Sequence, residues 1–178
     1  INNSDMLNGL GITQSQLAGD VELLKSRVII SRAISSMPLR VSYYAKGTVL
    51  ENELYEKSPF RVEYELKDSS IQDVQISVNF KDKQSCHISY INPTRGPSSR
   101  DVQIGAWADF PEVRLKVHTS NFESIVLQQK RVKKDTYFFI INDPETLLQR
   151  YSRQHSIYLL NPVAQTLNVQ FNDNNPEK

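Results

Sequence analysis

The side chains that most often carry out chemistry in proteins are sparse and scattered in this chain. His87, His118 and His155 lie far apart, with no cysteine or aspartate near them at the spacing of a metal site. Cys86 is the single cysteine and has no basic cluster beside it, so neither an internal disulfide nor a reactive thiolate is expected. No nucleophile elbow, phosphate-binding loop or dinucleotide fingerprint is present. The sequence therefore predicts no catalytic residue, no cofactor and no metal, although paired carboxylates of a hydrolase would leave no linear motif.

One candidate binding feature is a run of basic residues just before a predicted strand at Thr136–Ile141. The run consists of Lys130, Arg131, Lys133 and Lys134. Such a run can belong to a charged hairpin that protects the edge of a sheet. It can also contact lipid head groups or an anionic glycan, because clustered cations attract anions at short range.

A second candidate binding feature is a set of aromatic residues. The set consists of Tyr43, Tyr44, Tyr55, Phe60 and Trp107. Aromatic residues of a sheet protein usually belong to its core, but exposed rings can stack on sugars. The set therefore predicts either core packing or a carbohydrate contact.

The first element predicted to position these residues is one continuous helix over Thr13–Met37, packed on a sheet. Thr13 and Gln16 match a capping box, and Pro38 ends the helix. The apolar stripe consists of Leu17, Val21, Leu24 and Val28. This spacing places the four side chains on one helical face, so they are predicted to be core residues.

Three charged residues fall off that stripe, namely Glu22, Lys25 and Arg27. As solvated helix charges they would contribute little to stability. Alternatively, they form a subunit contact, which makes them candidate site residues.

Most of the remaining chain alternates apolar and polar residues with period two, which is typical of strands with one covered face. The predicted strands are Leu39–Tyr43, Phe60–Leu66, Val74–Phe80, His87–Ile91, Val113–Val117, Thr136–Ile141, Ile157–Leu160 and Leu167–Phe171. Asn92–Ser99 is rich in turn formers and is predicted to be a flexible loop. Asp143 and Pro144 are predicted to begin a second, shorter helix. The predicted fold class is α+β, a mostly antiparallel sheet flanked by a long N-terminal helix and a second shorter helix.

Bulk properties exclude some function classes. The chain has 178 residues, a formal net charge of +1 and 23% charged residues, so no overall field indicates a nucleic-acid partner. No apolar run reaches the length of a membrane span. Asn174–Lys178 resembles the first turn of a further helix, which predicts that the chain is a soluble fragment of a larger protein.

Five blocks carry a resemblance to a known family. They are Asp20–Arg27, Tyr43–Gly47, Glu53–Phe60, Ile104–Pro111 and Asn172–Lys178. In this order they resemble the extracytoplasmic domain of polysaccharide co-polymerases, the Wzz-type chain-length determinants. The similarity is greatest to the bacterial tyrosine kinases of capsule and exopolysaccharide export in the Bacteroidetes.

The resemblance implies that residues 1–178 form a single extracytoplasmic domain, the periplasmic portion of an inner-membrane protein. The parent would be a homo-oligomer that works with the polysaccharide polymerase and the outer-membrane export machinery to set chain length, assembly and export. The parent would carry either a cytoplasmic tyrosine kinase domain outside this chain or no kinase at all, since kinase-free co-polymerases share the module. In both cases the resemblance implies that the fragment itself is no enzyme. Polysaccharide is a candidate partner. The alternative is a stand-alone periplasmic carbohydrate-binding sheet module that uses its exposed aromatic residues.

Overall fold

A computed structural model describes residues 16–47, 51–131, 137–161 and 166–172. Its helices are α1 (16–25), α2 (Arg27–Ser36), α3 (Phe122–Arg131) and α4 (Pro144–Gln154). Its strands are β1 (Val41–Lys46), β2 (Glu51–Glu53), β3 (Phe60–Leu66), β4 (Gln75–Phe80), β5 (Ser85–Asn92), β6 (Gly96–Gln103), β7 (Trp107–Asp109), β8 (Val113–Thr119), β9 (Tyr137–Ile141), β10 (His155–Asn161) and β11 (Thr166–Phe171).

The contacts divide the chain into two compact units. The described part of the first unit comprises residues 16–38, 144–161 and 166–172, and that of the second comprises residues 39–47, 51–131 and 137–143. The prediction of a single domain over residues 1–178 stays a prediction.

The first unit corrects the predicted fold class, because the long N-terminal helix is wrong. The helix breaks at Ser26, whose backbone is extended (φ −63°, ψ 143°) and whose hydroxyl accepts a hydrogen bond from the Ile29 amide. A serine side chain can satisfy a free helical N–H, and this ends α1 and caps α2. Val21 is buried, but Leu24 is 37% and Val28 60% exposed, so the prediction of a single buried stripe is also wrong.

The rest of the first unit joins two helices and a hairpin. Helix α2 lies against α4, and β10 pairs with β11 in an antiparallel two-stranded sheet. The predicted start of α4 is confirmed at Pro144, and Tyr151 of this helix stacks on Phe171 with a centroid distance of 5.6 Å. None of the described helices is long and apolar enough to cross a membrane.

The second unit contains the two larger sheets, and all their strand pairs are antiparallel. One sheet has the strand order β2-β1-β9-β4-β5-β6 and the other the order β3-β8-β7. Their shared core includes the fully buried residues Phe60, Ile76, Ile88, Leu115 and Phe139. The predicted strand Phe60–Leu66 is confirmed with the same bounds.

Two elements of this unit differ from the sequence prediction. Asn92–Ser99 is not a loop excursion: Asn92 pairs with Gly96, and β6 continues from there as the second arm of a hairpin. The Asn92 side-chain oxygen accepts hydrogen bonds from the amides of Thr94 and Arg95, which fixes the tight turn. Helix α3 was not predicted. Its start is favoured by Asn121, whose side-chain oxygen accepts from the Ser124 amide in the manner of an N-cap.

Candidate functional site

The charged residues predicted as a subunit contact form two separate exposed ion pairs. Lys25 Nζ lies 3.5 Å from Glu22 Oε1 on α1. Arg27 donates two hydrogen bonds, of 2.6 and 2.8 Å, to the Glu145 carboxylate in the first turn of α4. The Arg27 pair thus joins α2 to α4 within the first unit. Their role as a subunit contact stays a prediction.

The basic run is only partly within the described residues. Lys130 and Arg131 end helix α3 and do not lie in a hairpin. Lys130 is exposed, which permits contact with an anion. Lys133 and Lys134 lie outside the described residues.

Two of the five residues of the predicted aromatic set, Tyr43 and Phe60, are buried and form a corner between the two sheets. Tyr44 and Tyr55 are half-buried, and Tyr44 stacks on Phe138. Tyr43 and Phe60 meet edge to face with a centroid distance of 5.3 Å. Phe60 also contacts Phe80 and Tyr137 at 5.5 and 5.6 Å. The Tyr43 hydroxyl accepts a 3.0 Å hydrogen bond from the amide of Val62, and burial is the main cause that raises the pKa of this phenol. The aromatic residues Tyr43 and Phe60 are therefore structural.

The remaining residues of the same two sequence blocks shape the backbone of this corner. The Leu54 amide donates to the Tyr43 carbonyl, and Tyr55 adopts a left-handed conformation (φ 45°) at the start of a 3-10 turn. The Ser58 hydroxyl donates to the Phe60 carbonyl and also accepts, at 3.4 Å, from the Phe60 amide. Arg61 lies over the Tyr43 ring at 5.1 Å and donates to the carbonyl of Tyr55. The two blocks thus encode one folded corner.

The histidines and the cysteine lie in separate environments. His87 Nδ1 is 2.7 Å from an Asp101 oxygen, and His118 Nε2 is 2.6 Å from a Glu63 oxygen. Cys86 is buried, and this burial raises the pKa of its thiol to about 12. The described residues contain no group of three or more His, Cys, Asp or Glu side chains that could hold a metal ion.

One aromatic residue of the set is exposed, and it lies among cations that the sequence prediction did not connect with it. Trp107 is 36% exposed on β7, and the guanidinium of Arg114 and the ammonium of Lys116, both on β8, lie 5.0 and 5.7 Å from its ring centroid. The turn before it requires Gly105, which has a φ of +81°. We define the Trp107 face by Trp107, Asp109, Arg114, Lys116, Lys67 and Arg100.

Three cations of this face contact Asp109, two of them through its carboxylate. Lys67 Nζ lies 2.7 Å and Arg114 Nε 4.0 Å from the Asp109 side chain, while Arg100 donates to the Asp109 carbonyl at 2.8 Å. The hydrogen bond from Lys67 is the largest cause that lowers the pKa of Asp109, with further contributions from the charges of Arg114 and Arg100. These residues lie up to 47 positions from one another in sequence (67 to 114), so no local pattern could have revealed the cluster.

A second unpredicted cluster surrounds Glu112, a fully buried acid in the bend before β8. Its Oε2 accepts a 2.5 Å hydrogen bond from the Tyr90 hydroxyl, and its Oε1 lies 3.7 Å from Arg95 Nε. Oε1 has no hydrogen-bond partner among the described residues. Arg95 also donates to Asp68 at 3.0 Å. Arg95 thus links the β5–β6 turn to the buried Glu112 carboxyl group and to Asp68, which is a structural role.

No protein-family model matches the chain, and no curated protein matches it either.

Proposed function

We propose that this chain is the periplasmic domain of an inner-membrane polysaccharide co-polymerase that regulates the chain length, assembly and export of capsular or exopolysaccharide. In the full protein it would form a homo-oligomer beside the polysaccharide polymerase and the outer-membrane export machinery. The proposal extends to a cytoplasmic tyrosine kinase domain in the parent protein, with no catalytic role for the present chain.

The observation that supports this proposal most is the corner built by Tyr43–Gly47 and Glu53–Phe60. These are two of the five blocks of the resemblance, and they contact each other directly. The Leu54 amide of the second donates to the Tyr43 carbonyl of the first, and the Tyr43 ring packs against Phe60. Residues that depend on each other in this way characterise a fold and not a reaction. A resemblance carried by such residues favours a shared domain, and the family's domain is an assembly module.

The experiment is an in-frame deletion of residues 1–178 from the chromosomal gene, followed by gel analysis of the surface polysaccharide. We expect an altered chain-length distribution that the wild-type gene restores. An unchanged distribution and amount of polysaccharide would contradict the proposal. A phosphatase fused within the chain provides the topology control, since it should be active only in the periplasm.

A stand-alone carbohydrate-binding module is the second candidate function, favoured by the exposure of Trp107. Cell fractionation separates the two candidates. The native protein should be recovered with the inner membrane if it is a co-polymerase, and with the soluble periplasmic fraction if it is a free module.

A further inference from the structure

We propose that the Trp107 face binds an anionic saccharide chain, with the indole stacked on a sugar ring and the neighbouring cations bound to its carboxylate groups. This inference rests on the proposed function for the choice of a polysaccharide as ligand. The arrangement of the side chains stands independently of it.

The pairing of β7 with β8 places the relevant side chains on the side of the sheet away from the core. Trp107 pairs with Lys116 and Asp109 with Arg114, while Ala108 between them pairs with Leu115. Leu115 is buried in the core, and successive residues of a strand point to opposite faces. Trp107, Asp109, Arg114 and Lys116 therefore share the outer face.

The Trp107 face carries more cations than it can pair with its own acid. Lys67 and Arg114 lie beside the Asp109 carboxylate, Arg100 donates to the Asp109 carbonyl, and Lys116 lies beside the Trp107 ring. Arg114 and Lys116 also reach Glu65 and Glu63 of β3, at 3.2 and 3.4 Å respectively.

Those partner carboxylates do not block an incoming anion. The side chains of Glu63 and Glu65 are more than half exposed, and exposed ion pairs of this kind are weak. Four cations against three carboxylates leave a surplus of one positive charge. A ligand carboxylate can therefore replace Glu63 or Glu65 as the partner of these cations at little cost in free energy.

The indole distinguishes an anionic saccharide chain from other polyanions. Its flat apolar face can cover the C–H face of a pyranose, and its N–H can donate to a hydroxyl. The cations alone would attract an acidic polypeptide equally well, because electrostatic attraction does not depend on ring shape. A uronic acid unit supplies both parts, an apolar ring face and a carboxylate.

The test uses the full chain and three polymers: oligogalacturonate, neutral dextran and polyglutamate. Trp107 is the single tryptophan, so its fluorescence reports on this face alone, and calorimetry gives the affinities of all variants. We expect oligogalacturonate to bind and to perturb the fluorescence, with weaker binding at higher salt. Binding of polyglutamate with equal affinity, or no binding of oligogalacturonate, would overturn the proposal.

Substitutions then locate the site. Trp107→Ala and Arg114→Gln should each weaken oligogalacturonate binding by about tenfold, the equivalent of ~1.4 kcal/mol. Arg40→Gln, a matched change of an exposed arginine in the same unit, should leave it unchanged. Equal losses in all three variants would overturn the assignment, and Lys116→Gln provides a further variant of the face if Arg114→Gln does not fold. The proposed function is tested separately, by the length distribution of the surface polysaccharide in cells. Saccharide binding at the Trp107 face can therefore fail while the proposed function stands, and the reverse also holds.

Discussion

Removal of the Tyr43 hydroxyl tests the corner on which the proposed function depends. In the Tyr43→Phe variant the ring can keep its contact with Phe60, but the Val62 amide loses its 3.0 Å acceptor. Strand β3 lies at the edge of its sheet, and Val62 is buried. A buried N–H without an acceptor costs about 1–3 kcal/mol, so we expect the free energy of unfolding to fall by about that amount.

The matched control is Tyr137→Phe, which removes a hydroxyl from the same aromatic cluster. Tyr137 also contacts Phe60, and burial alone raises the pKa of its phenol to about 12, with no hydrogen bond of its hydroxyl found among the described residues. We therefore expect this control to cost less than about 0.5 kcal/mol. Urea titrations of both variants, followed by far-UV circular dichroism, give the comparison. A Tyr43→Phe cost no larger than that of the control would refute the argument that the hydroxyl holds β3.

Three further predictions follow from burial. Arg95→Met should lower the free energy of unfolding by about 1–3 kcal/mol, because it removes the cation beside the Oε1 atom of the buried Glu112, an atom that has no hydrogen-bond partner among the described residues. Adding Glu112→Gln should recover most of the loss in thermal melts. Val21→Ala should cost about 1.5 kcal/mol and Leu24→Ala clearly less, since only Val21 is buried; equal costs in denaturant titrations would contradict this difference in burial. Cys86 should resist iodoacetamide at pH 8 in the native protein and react after unfolding in guanidinium, as measured by mass spectrometry, because its thiol is buried with a pKa of about 12; rapid labelling of the native protein would contradict this.

The elements that the sequence predicted well are those whose local pattern and tertiary environment agree. Phe60–Leu66 alternates strictly, and the structure buries Phe60 and Val62 while it exposes Arg61 and Glu63. The start of α4 was predictable from Asp143 and Pro144, since a cap and a first-turn proline act within a few residues of the helix end. Prediction and structure agree at these elements because strand alternation and helix capping depend on residues only a few positions apart.

The incorrect predictions concern segments where local preference was ambiguous. The apolar spacing from Leu17 to Val28 continues through Ser26, but the hydroxyl of Ser26 satisfies the Ile29 amide and starts a new helix. Strand β6 begins Gly96-Pro97-Ser98-Ser99, a composition typical of turns, and becomes a strand because β5 supplies its hydrogen-bonding partners.

The sequence by itself determined the strands that alternate strictly, such as Phe60–Leu66, and the start of α4. Only the tertiary structure decided which aromatic residue is exposed and which cations surround it. Trp107 and Arg114 face outward together because β7 pairs with β8 in one register, and Lys67 and Arg100 reach Asp109 from elements distant in sequence. Strand pairing and side-chain convergence over such separations depend on the whole folded chain, and a periodic pattern carries no record of them.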